Sequence, residues 1–151
     1  MVFKTIEELQ TFVNVDSTLS LSTLHPKMRE ANTEVARLMG SRLWALLAAA
    51  YEASRLNVRL QNLLPLAQDT VAAYTLLYYA PSANIRVSDA GMHSRESGDS
   101  PRPYRYERRE YLESLQESTE RATEALLVFL ERNERDYPEW AASENCTLLR
   151  F

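Results

Sequence analysis

Two histidines, one cysteine and a scattered set of carboxylates are the side chains here that most readily do chemistry, and their spacing argues against most of it. His25 and His93 lie far apart, and neither has a second His or Cys at the short interval a metal site needs. His25 precedes Pro26 at a helix start and His93 falls in a polar stretch, so both read as surface imidazoles. Cys146 has no second cysteine to pair with, which suits a reducing compartment. Asp89, within Val87-Ser88-Asp89-Ala90-Gly91, has the setting of a turn residue whose carboxylate accepts backbone amides. A site built from Asp89, His93 and Arg95 would instead require a concave pocket with shifted pKa values. The glutamates of 110–124 recur at helical steps, the pattern of a solvated face. The expectation is a protein that is not an enzyme and takes no cofactor or metal.

Arg102, Arg105, Arg108 and Arg109, interleaved with Tyr104 and Tyr106, form the densest cationic and aromatic cluster. Such a cluster can hold phosphates or the carboxylates of another subunit. Glu107 and Glu110 dilute it, and the formal net charge of -4 argues against a general nucleic-acid binder. Of the 17 basic residues only Lys4 and Lys27 are lysines; the planar fork of arginine suits interfaces better than mere solvation. These six residues, with the apolar Leu148, Leu149 and Phe151 near the end of the chain, are the candidate interface.

The elements that must position them are helices. With only 3 Gly and 6 Pro among many Leu, Ala, Glu and Arg, the composition is that of a helix former. The length suits one domain over 1–151. Thr5 should cap a short helix reaching about Val13, with a Ser- and Thr-rich loop over 14–22. Leu24, Met28, Ala31, Val35, Leu38 and Met39 recur at three- and four-residue steps and predict a helix over 23–39, with Pro26 in its first turn. Gly40 should end it and Ser41 cap the next, over 42–54. That second helix is apolar nearly all round, so it is expected to be the central one.

A helical pattern over 57–80 is interrupted by Pro65, which should kink or restart it, and is closed by Pro81. Over 82–103 Ile85 and Val87 alternate with polar residues and Gly and Pro punctuate the rest, which predicts a projecting, β-hairpin-like loop. The longest periodic stretch, 104–133, predicts one helix longer than the domain requires, whose first turns project with the loop. Pro138-Glu139-Trp140 should open a last helical turn before a tail over 141–151. The fold class is thus mainly α, a bundle of four to five helices. No stretch reaches the roughly 20 apolar residues of a membrane span, and no leader pattern opens the chain.

Several of these segments together resemble a known family. Phe3-Lys4-Thr5-Ile6-Glu7-Glu8-Leu9, Leu38-Met39-Gly40, Ala72-Ala73-Tyr74 before Tyr79-Ala80-Pro81, Val87-Ser88-Asp89-Ala90-Gly91, and Phe129-Leu130-Glu131 followed by Tyr137-Pro138-Glu139-Trp140 resemble an uncharacterised family of phage and prophage structural proteins from gut Bacteroidales. In size and helical layout that family is similar to phage head-to-tail connector, or adaptor, proteins. The resemblance implies a virion protein assembled in the bacterial host cytoplasm and present as a homo-oligomeric ring of twelve copies. Its partners would be the portal protein and a tail or stopper protein, with DNA in the channel and no membrane. It carries over no catalytic residue. The alternative expectation is a cytoplasmic helical module that binds or regulates another protein through 43–51 or 104–115.

Overall fold

The chain is mainly helical in the computed structural model, which describes residues 1–15, 19–83, 85–88, 91–94 and 105–141. Six α-helices follow in order among the described residues: α1 (Ile6–Gln10), α2 (Leu21–Met39), α3 (Ser41–Glu52), α4 (Val58–Tyr79), α5 (Arg105–Arg132) and α6 (Pro138–Ala141). Short 3-10 turns at Ala80–Ser82 and Glu134–Asp136 end α4 and join α5 to α6.

Helix α1 is short, as its cap suggests: the Thr5 hydroxyl accepts the Glu8 amide at 3.3 Å, while Glu8 turns back to accept the Lys4 amide at 2.8 Å. Helix α2 begins two residues earlier than the periodicity predicts. Its cap is Ser20, whose oxygen accepts the Thr23 amide at 3.3 Å and sits 2.8 Å and 2.9 Å from the Ser22 and Thr23 hydroxyls. Pro26 consequently lies in the second turn, not the first. The helix tolerates it because Ser22 and Pro26 are both exposed, so the carbonyl that loses a donor faces water.

Gly40 ends α2 with φ 82° and ψ 141°, a conformation open essentially to glycine alone. Ser41 does not cap α3. It is the first helical residue, and no side-chain cap bond forms there. Asn57 does cap α4, its side-chain oxygen accepting the Leu60 amide at 2.9 Å. The expected restart at Pro65 does not occur: α4 runs unbroken through it, with Pro65 and Gln61 on the exposed side.

The central helix is α4, not α3. Only Leu43, Leu47 and Tyr51 of α3 are buried, while Leu46 remains 39% exposed and Ala45 and Ala49 face outward. Helix α4 buries Leu60, Leu63, Ala67, Gln68, Thr70, Val71, Ala72, Ala73, Thr75 and Leu76 and packs against both α2 and α5. Its small residues let these neighbours approach closely. Its buried polar groups find local partners: the Thr75 hydroxyl donates to the Val71 carbonyl at 2.7 Å, and the Gln68 amide donates to the Val2 carbonyl at 2.7 Å, fastening the start of the chain to the bundle.

Helix α5 runs antiparallel to α4, as contacts at three heights show. Tyr137 just beyond α5 donates to the Arg59 carbonyl at 2.7 Å; the Thr70 hydroxyl lies 3.2 Å from the Ala122 carbonyl; and Arg108 donates to the Pro81 carbonyl at 3.0 Å. Arg108 thus ties the early part of α5 to the 3-10 turn that follows α4. At the other end Arg59 grips α6, donating to both carboxylate oxygens of Glu139 at 2.8 Å and 3.2 Å and to the Asp136 carbonyl at 3.0 Å. One core of side chains from the N-terminal segment and all six helices results, closed by the buried Tyr137 and Trp140.

Ile85–Ser88 (β1) and Gly91–Ser94 (β2) pair antiparallel, with Ile85 opposite Ser94 and Ser88 opposite Gly91. Eight paired residues do not support the expected projecting hairpin over 82–103, because Pro81 and Ser82 belong to the 3-10 turn and most of 89–104 lies outside the described residues. Among the described residues no helix is long and apolar enough to cross a membrane.

Replacing Gly40 by Ala should destabilise the protein by about 1–3 kcal/mol, since a Cβ must be carried at that φ and ψ. Ser41→Ala should stay within about 0.5 kcal/mol, because no cap bond is lost. Urea unfolding of the two variants, read by circular dichroism, checks the contrast.

Candidate interaction surface

The predicted interface residues divide into those the structure places and those it does not. Tyr106, Arg108 and Arg109 sit on the first turns of α5, all exposed, with Tyr106 at 61% and the Arg109 side chain at 81%. Arg105 is the first residue of that helix. Arg102, Tyr104, Leu148, Leu149 and Phe151 lie outside the described residues, as do Asp89, Arg95 and Cys146. His25 is exposed on α2, far in sequence from His93 on β2. Among the described residues no group of three or more His, Cys, Asp or Glu side chains could hold a metal ion.

Arg108 is engaged at home, its guanidinium on the Pro81 carbonyl at the C-terminal end of α4, where a cation suits the helix dipole. Arg109 reaches Glu113 at 2.9 Å, an exposed i,i+4 pair of little strength. Among the described side chains of α5 none before Thr119 is fully buried; Leu112 and Leu115 are half-buried and Tyr111 is 52% exposed. Among the described residues, the bundle core meets α5 through Leu126 and Leu130, with Phe129 packed against it, all in the second half of the helix.

A second feature went unread in the sequence. Between α4 and the latter half of α5 runs an open groove of about 360 Å³. Its floor is Tyr74 with Thr119, Thr123, Leu127 and Val128, and its exposed edge is Glu120, Glu124 and Glu131. The Thr123 hydroxyl oxygen is covered and makes no hydrogen bond among the described residues. Tyr74 is steadied by Tyr78, their rings 5.7 Å apart, and burial raises the Tyr78 pKa with help from the Glu34 carboxylate of α2. The available signal was Leu127-Val128, apolar residues that fall beside the core stripe of Ala122, Leu126, Phe129 and Leu130 rather than on it.

The charges of α5 are unevenly spread along it, although Glu107 in the first turn and Arg132 in the last suit the helix dipole. Residues 105–109 hold three arginines and one glutamate at the positive end, whereas 110–131 hold six glutamates and one arginine. A cation in the first turn costs about 0.3–1 kcal/mol at an exposed helix end, and because the effect fades within a turn the mid-helix glutamates are indifferent to it. No cation among the described residues forms an ion pair with Glu120, Glu124 or Glu131.

Fold and surface together define a helical protein with an apolar, acid-edged groove and a separate cationic, aromatic turn. The chain matches the family model described as Family of unknown function (DUF6712) over residues 42–148, and it belongs to that family. No curated protein and no solved structure matches it.

Two carboxyls away from the groove have opposite titration. Burial raises the Asp69 pKa above 3.8, so its ionised form opposes folding above the folded pKa and the penalty disappears below the unfolded one. The Arg59 hydrogen bonds lower the Glu139 pKa below 4.5, so its contribution is present above 4.5 and lost as pH falls through the folded value. Asp69→Asn should raise the melting temperature at pH 7, and Glu139→Gln should lower stability there by on the order of 1 kcal/mol. Thermal melts between pH 7 and 2.5 should bring both variants back to the parent.

Proposed function

We propose that this protein is a virion structural protein of the head-to-tail connector type, whose copies form a ring that docks on a phage portal. What carries the reading is the exposed first half of α5, where Tyr106, Tyr111 and Arg109 stand outside the bundle core on a helix of 28 residues, about 42 Å long at ~1.5 Å per residue. Arginine and tyrosine are enriched in protein–protein interfaces, and a monomer gains nothing from leaving them exposed. The sequence resemblance to phage structural proteins extends over nearly the whole chain and supplies the class of partner. In this reading the bundle is the docking body, a projecting hairpin-like loop over 82–103 and the 141–151 tail reach adjacent copies, and the ring closes by one repeated contact.

The test is co-expression with a phage portal protein, followed by native mass spectrometry and negative-stain microscopy of the complex. A closed ring of this chain on the portal is the expected result, and Arg105→Glu with Arg109→Glu should reduce ring occupancy at least tenfold while leaving the helical circular dichroism spectrum unchanged. A chain that never binds portal and is absent from purified virions would reject the connector and favour a cytoplasmic partner-binding module.

A further inference from the structure

Along α5, Tyr106, Arg109, Glu113, Gln116, Glu120, Thr123, Glu124 and Leu127 recur at three- and four-residue steps. They form one stripe on the helix, because such spacing keeps side chains on a common face. The stripe begins with an aromatic and a cation and ends in the groove, apolar in its floor and acidic along its edge. Turned antiparallel, a second identical stripe presents its aromatic and cationic end to the groove of the first and receives the same in return. We infer that two copies of this chain associate through α5 in this way, the Tyr106 ring of each lying on the Leu127 and Val128 floor of the other and Arg109 meeting Glu120 and Glu124.

Charge complementarity selects a second copy as the occupant. The groove edge carries carboxylates with no ion-pair partner among the described residues, and the same helix carries the exposed Arg109 toward its opposite end, held by a weak surface pair with Glu113. A parallel pair would set like charges side by side. An antiparallel pair sets opposite charges together and places the positive end of each helix near the glutamates of the other. The two-fold axis then passes close to Gln116, midway between the cationic turn and the groove.

The contact goes beyond the ring reading and does not depend on it: a two-fold contact closes on itself, whereas a ring is built head to tail.

Sedimentation velocity of the purified full chain over a concentration series is the first measurement, and a concentration-dependent dimer, weakened by raising salt, is expected. Arg109→Glu and the double change Glu120→Arg with Glu124→Arg should each raise the dimer Kd at least tenfold. Arg109→Glu combined with Glu120→Arg should recover most of that loss, which a merely structural effect would not do. Gln116→Cys in a Cys146→Ser background should give a disulfide-linked dimer on mild oxidation, while Ala125→Cys, on the opposite face of the helix, should not. A chain monomeric throughout the series overturns the inference, as does a dimer that ignores both charge reversals or fails to link through position 116. Portal binding by the same samples is scored separately: a monomer that still forms rings on portal sinks the pair and keeps the connector, and a dimer that never binds portal does the reverse.

Discussion

The close packing of α4 between α2 and α5 is the constraint on which the remaining structure depends. A helix can be buried on several sides only if its side chains are small or apolar and its polar groups are already bonded. Helix α4 meets that condition with Ala67, Ala72 and Ala73 and with threonines whose hydroxyls lie against carbonyls one turn back. Thr70 does more, because its hydroxyl lies 2.8 Å from the Leu66 carbonyl and 3.2 Å from the Ala122 carbonyl of α5, and its single proton is shared between the two helices. Gln68 uses the same burial to hold Val2, so the first residues of the chain depend on the central helix for their place.

The ends of the α4–α5 pair are secured in different ways, and the difference explains where an interaction surface can exist. Near Arg59 the pair is closed by Tyr137, Trp140 and the doubly bonded Arg59–Glu139 contact, half-buried and joining residues 80 apart in sequence. Near Tyr78 and Arg108 the described residues provide no such cap. There α5 is tied by Arg108 to Pro81 just past the end of α4, and residues 106–111 stand in water. The exposed tyrosines and Arg109 of that stretch are the side chains the proposed contacts would use.

Helix positions were legible because apolar periodicity and caps are local properties. Asn57 before Val58, Gly40 after Met39 and Pro81 after Ala80 mark ends that the structure keeps within a residue or two. The misreadings share one cause, which is that competition between neighbours is not local. Ser20 displaced Thr23 as the start of α2 because three clustered hydroxyls satisfy one another there. Pro65 interrupts nothing because the carbonyl it deprives faces solvent.

The amino-acid sequence by itself determined that this chain would be helical, roughly where each helix would start and stop, and which turns would carry arginine beside tyrosine. Only the tertiary structure decided which helix is central. The apolar α3, with alanines facing outward, looks more buried in one dimension than the threonine- and glutamine-bearing α4, and burial is a property of what surrounds a residue rather than of the residue. The groove was likewise beyond the sequence, since it needs Tyr74 of α4 brought against Leu127 and Val128 of α5, residues that only the antiparallel packing of the two helices makes neighbours.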